Sequence, residues 1–104
     1  MNAKDELLGE IKESGSTVKC ALIDYGLSYY AEEQARFALP VGYNEERYAK
    51  FIDSLDFDYD DGYGGQFLYG IVWLEDGTWL SRGEYDGSEW WEHNVLPPIP
   101  TELL

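Results

Sequence analysis

The sequence predicts an α+β domain: an antiparallel sheet of four or five strands with two helices mainly on one face. Three observations predict it. Residues 66–93 form β-rich runs punctuated by Asp76-Gly77 and Asp86-Gly87, which reads as a three-stranded meander. Residues 17–24 are another run of strand formers. Segments 4–14 and 44–55 place apolar residues at helical spacing. At 104 residues the chain fits a single domain, 1–104.

Taken in order, residues 4–14 carry Leu7, Leu8 and Ile11 in a narrow apolar stripe. Asp5 and Glu6 sit in the first turn, where they suit the helix dipole, and Gly15 supplies the stop. In 17–24, Val18, Cys20 and Leu22 are expected on one face and Lys19, Ala21 and Ile23 on the other. Residues 25–28 read as a turn. Residues 29–39 are ambiguous, with 31–35 favouring helix and 35–39 favouring strand, and a strand is assigned around 36–39, ended by Pro40. Asn44 is a good N-cap for 44–55, where Tyr48, Phe51, Ile52 and Leu55 form one apolar face. Residues 56–65 form a loop combining acids, aromatics and glycines. Strands are expected at 66–75, 78–85 and 88–93, followed by an extended Pro97-Pro98-Ile99-Pro100 segment.

A two-residue turn at Asp76-Gly77 predicts Trp73 opposite Leu80 and Ile71 opposite Arg82. A second at Asp86-Gly87 predicts Tyr85 opposite Ser88, Gly83 opposite Trp90 and Arg82 opposite Trp91, the last pair placed for a cation–π contact. Both sheet faces then read as apolar, and two short helices can cover only one well. A partly exposed aromatic face rimmed by acids is therefore expected unless the extended segment and 29–39 cover it.

The chain has 21 acidic and 7 basic side chains, a net charge of −14 and a pI near 4.1. Its 16% aromatic content argues against a disordered acidic tail. That charge opposes binding to nucleic acid or anionic membranes and favours a basic protein surface. The field is uneven: residues 51–104 hold 12 acids and one base, Arg82, while residues 1–50 hold 9 acids and 6 bases. One cysteine excludes an internal disulfide framework, and no apolar run is long enough to span a membrane. The charged N-terminal residues lack the apolar stretch of a signal peptide, so a cytoplasmic setting is expected.

No nucleophile elbow, zinc-protease or phosphate-loop motif is present, and neither a cofactor nor catalysis is expected. The series Asp56, Asp58, Asp60, Asp61 resembles the start of a calcium loop. Its sixth and twelfth positions are Asp61 and Phe67, where glycine and glutamate are required, so no metal site is assigned. Alternate residues of an extended chain lie about 6.5–7 Å apart. Asp56, Asp58 and Asp60 can thus present charges at a pitch comparable to strand phosphates. Asp61, Glu84, Asp86 and Glu89 extend the anionic set, and Tyr59, Tyr63 and Trp90 are the expected apolar anchors.

Residues 73–92, from Trp-Leu-Glu-Asp-Gly-Thr-Trp to Glu-Trp-Trp-Glu, resemble a segment of small phage-encoded proteins. Size, charge and aromatic content are similar to those of phage anti-defence proteins, including anti-CRISPR and anti-restriction DNA mimics. That resemblance implies stoichiometric inhibition, in a bacterial host cell, of a CRISPR-Cas or restriction nuclease through its positively charged groove. The alternative is a non-enzymatic adaptor that docks through the aromatic sheet face. The inhibitor is expected as a monomer or homodimer.

Overall fold

A computed structural model describes residues 1–26, 35–59, 66–85 and 88–104. The elements are α1 (Ala3–Ser14), β1 (Val18–Tyr25), β2 (Ala35–Leu39), α2 (Glu45–Ser54), β3 (Leu68–Leu74), β4 (Trp79–Tyr85) and β5 (Ser88–Asn94). A single 3₁₀ turn follows at Thr101–Leu103. The strands form one antiparallel sheet in the order β2-β1-β3-β4-β5, with both helices packed on one face. The α+β expectation holds.

The helix ends follow from local chemistry. Asn2 Oδ1 accepts from the Asp5 N–H, and Gly15 closes α1 in the left-handed region at φ 71°. Asn44 Oδ1 accepts from the Arg47 N–H at 2.8 Å and starts α2. Leu7 from α1, and Phe51, Ile52 and Leu55 from α2 and its end, meet Val18, Ala21, Ile23, Leu39, Leu68, Val72, Leu74, Leu80 and Trp91 in the core. Each buried Val, Leu, Ile or Phe side chain among them contributes roughly 1.5–3 kcal/mol.

Two strand assignments are corrected. A bulge between Val18 and Cys20 shifts the alternation in β1, so Val18, Ala21 and Ile23 share the buried face while Cys20 and Leu22 turn the other way. The β3–β4 register also differs by one residue from the expected one. Trp73 opposes Trp79, Val72 opposes Leu80 and Ile71 opposes Ser81. The cause is a three-residue turn, closed by Leu74 N–H to Thr78 O at 2.9 Å and Gly77 N–H to Leu74 O at 3.2 Å. Gly77 takes a positive φ of 87°, and the Asp76 carboxylate accepts from both the N–H and the hydroxyl of Thr78. The β4–β5 register is as expected, with Tyr85 opposite Ser88, Gly83 opposite Trp90 and Arg82 opposite Trp91. The Asp86-Gly87 turn and residues 27–34 lie outside the described residues.

One face of the sheet lies under the helices. The other carries Leu22 from β1, Tyr69, Ile71 and Trp73 from β3, Trp79 from β4 and Trp90 from β5. No helix or strand packs across it among the described residues: Trp73 is 41% exposed, and Ile71 and Trp90 are each 37% exposed.

Candidate functional site

Beneath the helices, β3 and β4 pair along 71–73 and 79–81, with no register pairs beyond Ile71–Ser81 among the described residues. Beyond that point a buried polar cluster ties β3 to β4 and β5. Arg82, with its side chain 2% exposed, donates from Nη2 to Glu89 Oε1 at 2.6 Å and to the Tyr59 hydroxyl at 3.0 Å, and from Nη1 to Glu6 Oε1 at 2.9 Å. The Glu89 side chain is fully buried and accepts from the Phe67 and Leu68 N–H groups at 2.8 and 3.0 Å. Tyr59 donates to Glu6 Oε1 at 2.5 Å. The guanidinium lies over the Trp91 ring at 4.9 Å, the expected cation–π contact, and 5.7 Å from the Tyr59 ring centre.

The cluster's chemistry is that of a structural pin. Burial and the hydrogen bond to Glu6 push the Tyr59 phenol well above its usual range. Burial alone would lower the Arg82 value, but the hydrogen bond to Glu89 and the field of Glu6 raise it, so the guanidinium stays charged. Each carboxylate faces a cation or backbone donors, and the phenol proton is engaged. Arg82 Nε and Trp91 Nε1 are buried without a hydrogen-bond partner among the described residues.

Two sequence-derived site residues are therefore corrected. Glu89 and Tyr59 do not face a partner. Both are buried, because the gap between β3 and β4 needs a charged pair to satisfy the Phe67 and Leu68 N–H groups and Arg82. Asp56 and Asp58 are exposed. They sit in a segment held to the chain start: Ala3 N–H donates to Phe57 O, Tyr59 N–H donates to Met1 O, and Asn2 Nδ2 donates to Asp56 Oδ1 at 3.0 Å. Glu84 is exposed at the outer part of β4. Trp90 is on the open aromatic face, with its ring against Gly83 and its Nε1 donating to Glu92 Oε1 at 3.0 Å. Asp60, Asp61, Tyr63 and Asp86 lie outside the described residues.

The structure adds carboxylates that the sequence reading passed over. Lys4 is raised by its hydrogen bond to Asp53 and by the field of Asp53, Asp56 and Asp5, so these acids crowd around one ammonium. Further along α1, burial and the neighbouring Glu13 and Glu6 raise the Glu10 carboxyl. Glu6, Glu10 and Glu13 fall at i, i+4 and i+7, which is the sequence signal for such a ridge. Glu6 turns into the buried cluster, Glu10 and Glu13 stay along the helix, and Asn2 holds Asp56 and Asp58 at its start, so this acidic ridge lies on the helical side of the sheet.

A cleft of about 350 Å³ lies apart from both features, lined by Arg36, Phe37, Arg47, Lys50 and Phe51. Arg36 is paired with Asp24 at 2.7 Å and Lys50 with Glu46 at 3.3 Å. Among the described residues no group of three or more His, Cys, Asp or Glu is placed to hold a metal ion, and no helix is long and apolar enough to cross a membrane. No protein-family profile, curated protein or solved structure matches the chain.

Proposed function

We propose that this protein is a non-enzymatic, stoichiometric ligand for the positively charged nucleic-acid-binding groove of another protein, of the kind carried by bacterial immunity nucleases. The observation that carries the reading is the gathering of Asp53, Asp56 and Asp58 at the start of α1, where Lys4 pairs with Asp53 and Asn2 meets Asp56 and Asp58, while Glu10 and Glu13 add charge on another flank of the helix. A helix of 12 residues is about 18 Å long, so α1 spans two to three steps of about 7 Å, the pitch of strand phosphates. A Lys/Arg groove attracts both by charge, and long-range steering speeds the encounter.

The test is binding to a cationic DNA-binding nuclease complex in competition with DNA, at low and high salt. Affinity should fall steeply as salt rises. Charge reversal at Asp56, Asp58 and Glu13 to Lys should abolish competition while far-UV circular dichroism stays unchanged. Full inhibition by that triple variant would overturn the assignment of the ridge. The exposed Trp73 and Trp90 favour a second reading, an adaptor whose contact is apolar. Binding that does not change with salt and is lost on Trp73→Ser would select it.

A further inference from the structure

The open aromatic face and the segment 95–104 are two unsatisfied apolar surfaces on one chain. Val95, Leu96, Ile99, Leu103 and Leu104 are all 60–87% exposed. The segment leaves β5 at Asn94, whose Nδ2 donates to Ser81 Oγ at 2.8 Å on the aromatic side of the sheet. It therefore starts at the rim of that face yet does not lie on it. Pro97, Pro98 and Pro100 impose an extended, stiff course.

We propose that segment 95–104 of one copy crosses the aromatic face of a second copy, and that the exchange is reciprocal, giving a two-fold dimer. Proline-rich extended segments recognise aromatic-lined surfaces because little conformational freedom is lost on docking. The lengths agree. Extended residues 95–100 reach about 19 Å at 3.1 Å each and the 3₁₀ turn at Thr101–Leu103 adds about 6 Å at 2.0 Å each, while five strands span roughly 19 Å across at 4.8 Å spacing. Charge selects a second copy as the occupant. The segment carries a single charged residue, Glu102, in a chain of net charge −14. On the face it would cross, Asp24 is neutralised by Arg36 and Glu92 accepts from Trp90. Glu92 keeps its charge, so two highly anionic chains that meet there oppose few carboxylates rather than the many of the helical side. The proposal uses no residue of the acidic ridge and stands or falls apart from the groove-binding reading.

The test is sedimentation velocity on the full chain over a concentration series, with tryptophan emission recorded in parallel. Association to two chains with a blue-shifted emission is expected. A tail variant, Ile99→Ser/Leu103→Ser/Leu104→Ser, changes exposed side chains and should weaken association more than about a hundredfold. A face variant, Trp73→Ser/Trp90→Ser, should do the same. Mixing the two variants decides the geometry: one intact segment then meets one intact face, and a mixed dimer should form where neither variant associates alone. A full chain that stays monomeric at every concentration overturns the proposal. So does a dimer that survives the tail variant, as a face-to-face stack would, or a mixture that fails to associate.

Discussion

Replacing Arg82 with methionine tests what holds β3, β4 and β5 together. The variant keeps most of the side-chain volume and removes the charge. Glu89 then keeps its two backbone donors, from Phe67 and Leu68, but loses the cation at 2.6 Å. Glu6 loses its partner at 2.9 Å. Removing one member of a buried pair costs about 3–5 kcal/mol because the other is left as an uncompensated charge. A domain of this size has on the order of 5–15 kcal/mol of stability, so the loss is a large share. The melting temperature should fall by on the order of 20 °C. Urea unfolding followed by far-UV circular dichroism reads the change. The double variant with Glu89→Met should cost less than the sum of the two single changes, by at least about 1 kcal/mol, because each single change strands one charge of the Arg82–Glu89 pair and the double removes both, leaving only Glu6 without its cation. A loss under about 1 kcal/mol for Arg82→Met, or strictly additive singles, would show that the cluster is not the pin described above.

Three further outcomes follow from the same structure. Asp76 is held below the ordinary carboxylate range, first by the Thr78 hydroxyl and then by the Thr78 N–H, so its contribution is present above its usual value and is lost as pH falls through the lowered one. The urea midpoints of the parent and Asp76→Ala should therefore differ at neutral pH and converge in acid. Glu10 is raised, so its ionised form opposes folding above that value and the penalty disappears as pH falls. Glu10→Gln should accordingly gain up to about 0.5 kcal/mol at neutral pH, while weakening binding to a cationic groove. Gly70 has φ 148°, and a Cβ there would lie 2.4 Å from Leu22 O and 2.8 Å from Ile23 Cα, so Gly70→Ala should disrupt the β1–β3 ladder and lower the melting temperature sharply. Gly9→Ala meets nothing within 4 Å and serves as the control.

Both helices and the antiparallel sheet of four or five strands were legible because each rests on local signals: Gly15 and Asn44 mark helix ends, though Asn2 does not stand out as a cap, and the apolar spacing of 48–55 needs no tertiary information. The first hairpin was misread by one residue because Asp76-Gly77 reads as a two-residue turn. What decides otherwise is the Asp76 side chain, which binds Thr78 and leaves Gly77 alone in the left-handed region. That single residue redistributes the aromatics: Trp73 and Trp79 share the open face, and Leu80 goes inward beside Val72. Glu89 was placed on the surface because an acid beside a turn usually is. Its burial is set by where β3 and β4 part, which no local pattern reports. Asp56 and Asp58 were expected in the anionic set, but the α1 acids and Asp53 were not, because charge was weighed by halves of the chain, whereas the fold brings Asp53, Asp56 and Asp58 to the start of α1.

The distribution of the few cations explains how one small chain tolerates so large a charge. Lys4, Arg36, Lys50 and Arg82 all lie in ion pairs among the described residues, and Arg82 is turned into the core. The remaining carboxylates therefore set the field outside the molecule, and the ridge along α1 belongs to the helical layer. A dimer formed through that layer would bring like charges face to face. One formed through the opposite face, with the exchanged segments lying against the two sheets, keeps the helices outermost, so the two ridges sit at least roughly 30 Å from each other. That is more than two screening lengths of about 8 Å at physiological salt. Self-association through the aromatic face and a strong anionic exterior are thus compatible in one fold, and each ridge stays open to a cationic groove. Raising salt should accordingly weaken capture by such a groove while leaving the dimer intact, and a dimer that forms only at high salt would show that the two ridges repel across the interface after all.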